Sequence, residues 1–141
     1  MLFGRNQRTI NRLLIVEDEP LIAFDLEHAL EQAGYTVVGT VDRYRDAMAL
    51  VESEPIDLIL CDVRLTGERD GIALAREVRS HGIRVLFVTG AQPDGAEDLA
   101  LGWLAKPYTH KQLLDAIDVA DAASSGRRPK RLPAGLNLYG G

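Results

Sequence analysis

With a single cysteine, Cys61, the chain cannot form an intrachain disulfide or a four-thiolate zinc site. Long apolar runs are missing too. Stretches such as Leu13 to Val16 fall far short of the roughly 20 residues that span a bilayer. The segment Met1 to Asn11 carries Arg5 and Arg8 without a long apolar stretch, so it does not read as a secretory signal. No GxxxxGK and no GxGxxG follows an apolar run, which argues against a nucleotide-binding enzyme. His28, His81 and His110 are far apart and lack paired metal spacing. No internal repeat of solenoid or propeller length is visible. These absences leave an ordinary soluble chain, with cytoplasmic localisation as the expectation.

The composition supports that reading. Of 141 residues 46% are hydrophobic and 26% charged, so the chain can bury a core and is not compositionally disordered. The net charge of −5 is unevenly spread. Residues 124–141 hold Arg127, Arg128, Lys130 and Arg131 and no acid; residues 1–123, with 12 basic and 21 acidic residues, carry −9. An acidic body disfavours nucleic acid as a partner.

Apolar runs alternate with helical periodicity. Leu13-Leu14-Ile15-Val16 reads as a buried strand, and Ile22, Leu26, Ala29, Leu30 and Ala33 recur at helical spacing between Pro20 and Gly34. Tyr35 to Val41 predicts a second strand, then a helix through Tyr44, Ala47, Met48 and Val51. Asp57 to Cys61 predicts the third strand, and Gly71, Ile72, Ala75 and Val78 a third helix. The fourth strand is Val85 to Val88. Residues 91–101, rich in Gly, Pro and acid, leave room for only a short fourth helix before a fifth strand at Trp103-Leu104-Ala105. Thr109 and Gln112 stand at capping-box spacing before a last helix carrying Leu113, Leu114, Ile117 and Ala120. After Ala123 the composition turns to Ser, Gly, Pro and basic residues, which reads as a mobile tail. The expected organisation is an N-terminal arm (1–10), one domain (11–123) and a tail (124–141). Strands alternating with helices imply a parallel sheet covered on both faces, a three-layer α/β sandwich.

Four strands end in polar residues: Glu17-Asp18, Asp62, Thr89 and Lys106. In an open α/β sheet, ligands bind beyond the carboxyl ends of the strands. Three carboxylates repel one another unless a cation sits among them, and all-oxygen ligands favour a hard ion such as magnesium. A lysine and a threonine hydroxyl suit a phosphoryl group, Gly90 leaves room for a bulky anion, and a central aspartate can form an aspartyl-phosphate. Taken singly, Asp62 and the acidic pair also suit helix caps, Trp103 suits plain packing and Cys61 suits a small buried hydrophobe.

Val16-Glu17-Asp18-Glu19-Pro20, Cys61-Asp62-Val63-Arg64-Leu65, Phe87-Val88-Thr89-Gly90 and Ala105-Lys106-Pro107 occur in this order over residues 11–123. In this the chain resembles the receiver domain of two-component response regulators. The resemblance implies a flavodoxin-like (βα)5 fold with sheet order 2-1-3-4-5. It implies Asp62 as phosphoacceptor, with Thr89 and Lys106 holding the phosphoryl oxygens. It implies magnesium on Asp18, Asp62 and the Arg64 backbone carbonyl, with Glu17 acting mainly through water. It further implies a switch of Thr89 and Trp103, Arg64 and Ala91 as modulators of phospho-lifetime, and a cis Lys106-Pro107 peptide. The implied donor is a sensor histidine kinase or histidine phosphotransfer protein. The implied role is a bacterial single-domain regulator, not an enzyme, that signals by protein–protein contact or acts as a phosphate sink.

The sequence departs from the commonest receivers in three places. The loop Leu65 to Gly71 replaces a Met-Pro version, the stretch from Thr89 to Lys106 is shorter, and Trp103 stands where Tyr or Phe is usual. The loop and Phe-Val-Thr-Gly resemble a subgroup of alphaproteobacteria known for Phe-Ala-Thr-Gly. Two alternatives stay in view: a pseudo-receiver that binds proteins without phosphorylation, and a small phosphohydrolase. The latter needs an acid/base carboxylate where Arg64 stands.

Overall fold

The computed structural model describes residues 8–127 and 131–139. Most of the arm (residues 1–7) and the tail's Arg128 and Lys130 lie outside the described residues. In chain order the elements are β1 (Arg12–Val16), α1 (Pro20–Gln32), β2 (Thr36–Val41), α2 (Tyr44–Ser53), β3 (Leu58–Cys61), α3 (Gly71–Val78), β4 (Arg84–Thr89), β5 (Gly102–Ala105), α4 (His110–Ser124) and β6 (Leu136–Leu138). They build one sheet in the order β2-β1-β3-β4-β5-β6. The first five strands run parallel, in the expected order 2-1-3-4-5, and β6 is antiparallel to β5.

Strand periodicity explains the layers, because successive side chains point to opposite faces. Leu13 and Ile15 of β1 enter one buried cluster; Leu14 and Val16 enter the other. β3 divides likewise into Leu58 and Leu60 against Ile59 and Cys61, and β4 into Leu86 and Val88 against Val85 and Phe87. Both faces are buried, so the runs show no polar alternation. Leu26, Leu30, Leu113 and Ile117 of α1 and α4 cover the first face; Ala47, Val51, Leu74 and Val78 of α2 and α3 cover the second. The result is the expected three-layer sandwich.

Local chemistry sets the helix boundaries. Pro20 opens α1, where its missing N–H costs nothing. Asp70 caps α3 by accepting from the Ala73 N–H at 2.9 Å. Thr109 and Gln112 form the expected capping box: the Gln112 N–H donates to Thr109 Oγ1 at 3.1 Å, and the Thr109 N–H donates to Gln112 Oε1 at 2.8 Å. At its other end α4 anchors the start of the chain. The buried Asp121 carboxylate accepts from the Thr9 N–H at 2.8 Å, the Ile10 N–H at 3.1 Å and the Thr9 hydroxyl. Burial alone would raise the Asp121 pKa, but these hydrogen bonds and the nearby Arg127 outweigh it and hold the carboxyl below its ordinary value.

Two expectations need correction. The short fourth helix is absent: residues 90–101 form turns, with Pro93 and Ala96 buried and Leu99 and Ala100 packed against the second cluster. Pro93 and Gly95, the latter at φ +68°, interrupt a segment too short to nucleate a helix around them. The mobile tail is also not what residues 131–139 show. Leu136 is buried, and Leu136–Leu138 pairs with β5 as the sheet's sixth strand. Ser, Gly, Pro and basic residues mask this strand in the composition. Its signals are the alternation Leu136-Asn137-Leu138 and the glycine at 102, which admits a neighbouring backbone. Among the described residues no helix is long and apolar enough to cross a membrane.

Candidate functional site

Because the five parallel strands point the same way, their carboxyl ends open on one side. Glu17 and Asp18 follow β1, Asp62 follows β3, Thr89 ends β4 and Lys106 follows β5. Backbone pairing holds the positions in register: the Asp62 N–H donates to the Val16 carbonyl at 2.9 Å, and the Lys106 N–H to the Thr89 carbonyl at 2.9 Å. The Lys106–Pro107 peptide is cis, as expected.

The side chains converge. Lys106 Nζ lies 2.7 Å from Glu17 Oε1, 3.0 Å from Asp62 Oδ2 and 4.0 Å from Glu19 Oε1. The other oxygen of Asp62, Oδ1, accepts from the Arg64 N–H at 3.3 Å. Glu17, Asp62 and Thr89 are 3%, 7% and 5% exposed, so these polar residues are largely withdrawn from solvent. Burial raises the Glu17 pKa, opposed by its hydrogen bond from Lys106 and reinforced by the Asp62 charge; it stands above the ordinary carboxylate value. For Lys106 burial works in the opposite sense, but its bonds to Glu17 and Asp62 prevail and hold the ammonium above its usual range.

Glu17, Asp18 and Asp62 each offer an oxygen within 4.8 Å of the others. Three carboxylates against the Lys106 ammonium leave two formal negative charges, a balance and a donor type that fit a hard divalent cation such as magnesium. Arg64 is exposed, and its backbone N–H is the group engaged with Asp62. Ala91 is exposed on the turn segment after β4. Trp103 is partly buried on β5, on the face of Phe87, and packs against the second cluster. The expected core of Glu17, Asp18, Asp62, Thr89 and Lys106 is thus gathered at one end of the sheet, with Trp103 on its flank.

One positioning residue escaped the sequence reading. Gly71, at the start of α3, lies so close to Asp62 that a Cβ there would stand 2.2 Å from the Asp62 carbonyl oxygen. Its N–H donates to the Val63 carbonyl at 2.8 Å, closing the loop that carries Arg64. The signal was a glycine opening a helix, where glycine has no propensity to offer.

A doubly covered parallel sheet with an acidic cluster, a threonine and a lysine at its carboxyl end defines a receiver-type module. The comparisons agree: the chain belongs to the family described as response regulator receiver domain, whose model matches residues 13–118. It is 37% identical over 115 residues to "Transcriptional regulatory protein PdtaR" of Mycobacterium tuberculosis, covering 77% of this chain and 56% of that protein. It is 30% identical over 115 residues to "Transcriptional regulatory protein AruR" of Pseudomonas aeruginosa, covering 74% of this chain and 47% of that one. The chain therefore spans about half the length of the curated relatives it matches. Among solved structures it is similar to the signal receiver domain of a modulated diguanylate cyclase from Desulfovibrio desulfuricans, with TM-score 0.72, 30% identity and coverage of 82% and 97%. It is also similar to a CheY-like receiver domain protein from Methanospirillum hungatei, with TM-score 0.73, 25% identity and coverage of 84% and 99%.

Proposed function

We propose that this receiver domain is a phosphoacceptor. The Asp62 carboxylate takes a phosphoryl group from a histidine kinase or histidine phosphotransfer protein, in a magnesium-dependent reaction in the cytoplasm. The observation that carries this reading is the setting of Asp62: buried, with one oxygen on Lys106 at 3.0 Å and the other on the Arg64 N–H at 3.3 Å.

Chemically, an Asp62 oxygen attacks phosphorus, the P–N bond to the donor imidazole breaks, and the imidazole nitrogen keeps the electron pair. The carboxylate is then replaced by an acyl phosphate whose group carries about −1.5 to −2 charges. Lys106, already poised on Asp62, moves its ammonium onto the new oxygens. The Thr89 hydroxyl, at the end of the adjacent strand, donates to them. Glu17, Asp18 and Asp62 would hold magnesium, which supplies positive charge against the phosphoryl oxygens. The Arg64 N–H orients the attacking carboxylate. With Arg64 where a hydrolase needs a carboxylate, the chemistry is self-phosphorylation and self-dephosphorylation and not turnover of an outside substrate. Output follows from protein–protein contact, or from draining phosphoryl groups from a shared kinase.

Intact-mass spectrometry after incubation with acetyl phosphate and magnesium tests this. One phosphoryl adduct is expected on the wild type, with none on Asp62→Ala and none when magnesium is chelated. A protein that forms no adduct and binds no beryllofluoride would instead be a pseudo-receiver.

A further inference from the structure

The outer edge of β5 meets another backbone more closely than a side chain permits. A Cβ at Gly102 would stand 2.2 Å from the Asn137 carbonyl oxygen and 2.9 Å from Leu138 Cα, an approach that glycine alone allows. There β6 pairs Gly102 with Leu138, Trp103 with Asn137 and Leu104 with Leu136. Two bonds flank this ladder: the Tyr139 N–H donates to the Leu101 carbonyl at 2.9 Å, and the Ala105 N–H to the Gly135 carbonyl at 2.9 Å. The latter is one residue from Lys106, whose own N–H is bonded to the Thr89 carbonyl. Main-chain contacts thus run without a break from the phosphoryl-binding threonine and lysine to the segment 135–139.

The segment's side chains straddle the sheet. Leu136 is buried in the α1/α4 cluster, while Tyr139 packs on the opposite cluster, which also takes Leu99, Ala100 and Trp103. Docking is imperfect, since the buried Tyr139 hydroxyl has no hydrogen-bond partner among the described residues. An unsatisfied polar group favours the undocked form, in which water satisfies it.

We propose that residues 135–139 form a detachable clasp on the β5 edge, and that a phosphoryl group on Asp62 loosens it. The inference rests on the phosphoacceptor reading above. New oxygens between Asp62, Thr89 and Lys106 oblige the ends of β4 and β5 to readjust. β5 is held on one side by a four-residue parallel ladder to β4 and on the other by a three-residue ladder to β6. The shorter, peripheral ladder with the unsatisfied hydroxyl gives way first. Release bares the β5 edge and frees Leu136, Leu138 and Tyr139 for a partner protein. By reciprocity, the docked clasp must weaken phosphoryl binding by the same factor.

The test uses the full chain with magnesium and beryllofluoride, a phosphoryl mimic whose binding is followed by fluorine NMR. Amide hydrogen exchange of residues 135–139 is measured with and without it. Affinity is compared for the wild type, Gly102→Val, which blocks docking from β5, and Leu136→Asp, which weakens it from the segment and leaves β5 untouched. Expected are faster exchange across 135–139 with beryllofluoride, and binding about fivefold tighter or more in both variants. Bound fluoride with unchanged exchange and equal affinities overturns the clasp alone. No bound fluoride on the wild type overturns the phosphoacceptor reading, and the clasp with it.

Discussion

Substituting Gly71 by alanine tests whether backbone packing beneath Asp62 sets the position of this proposed phosphoacceptor. The added methyl would meet the Asp62 carbonyl oxygen at 2.2 Å, the Asp62 carbonyl carbon at 3.0 Å and Cys61 Sγ at 3.0 Å. Two of these are backbone atoms of Asp62 itself, so no flexible side chain can swing away. Restoring even a tight contact of 3.0 Å requires a retreat of at least about 0.8 Å, on the steep repulsive wall of the van der Waals potential. Forcing one extra carbon into a packed interior typically costs about 1–3 kcal/mol. A displacement near 1 Å at a reacting group can cost about 100-fold in rate. Gly71→Ala should therefore lose about 1–3 kcal/mol in urea unfolding and be phosphorylated by acetyl phosphate about 100-fold more slowly. Gly90→Ala is the stability control: its methyl meets nothing within 4 Å, so its unfolding free energy should stay within about 0.5 kcal/mol of wild type. If Gly71→Ala matches the wild type in both assays, the close approach does not position Asp62 and the reasoning is wrong.

Lys106→Met leaves Glu17 and Asp62 facing each other without their shared ammonium; it should destabilise the metal-free protein by about 3 kcal/mol, with part of the loss recovered at saturating magnesium in thermal unfolding. Asp18→Asn removes one of the three clustered carboxylates and should weaken magnesium binding at least about tenfold by titration calorimetry, with the fold preserved by circular dichroism. The Asp121 carboxyl is held below its ordinary value of 3.8, so its stabilisation is complete at neutral pH and is lost only as pH falls below that value through the folded-state pKa. Asp121→Asn should accordingly cost about 1–3 kcal/mol at pH 7, and the deficit against wild type should shrink toward the acid end of a pH series of urea melts.

Much of the architecture was legible because strands β1, β3 and β4 are covered on both faces: apolar runs bounded by polar residues admit few other readings. The capping box at Thr109 and Gln112 was equally local, since both partners lie within one turn. The site was legible for a related reason. Once the strands run parallel, residues immediately after each run must fall on the same side, so Glu17, Asp18, Asp62, Thr89 and Lys106 converge whatever the details of packing.

Other features depend on neighbours distant in sequence. Residues 90–101 settle as turns because Pro93 and Gly95 interrupt them, leaving Ala96 buried and Leu99 packed against the second cluster. Leu136–Leu138 is too short to be stable by itself and becomes a strand only because Gly102 leaves room on β5. Gly71 reads as an unremarkable glycine until the fold brings Asp62 against it. The amino-acid order by itself determined which residues are apolar, where they alternate and which polar groups follow them, and these choices settle the layers and the polar cluster at the strand ends. Only the tertiary structure decided the close backbone approaches at Gly71 and Gly102, because clearance of a few tenths of an ångström is set by elements that meet across the fold.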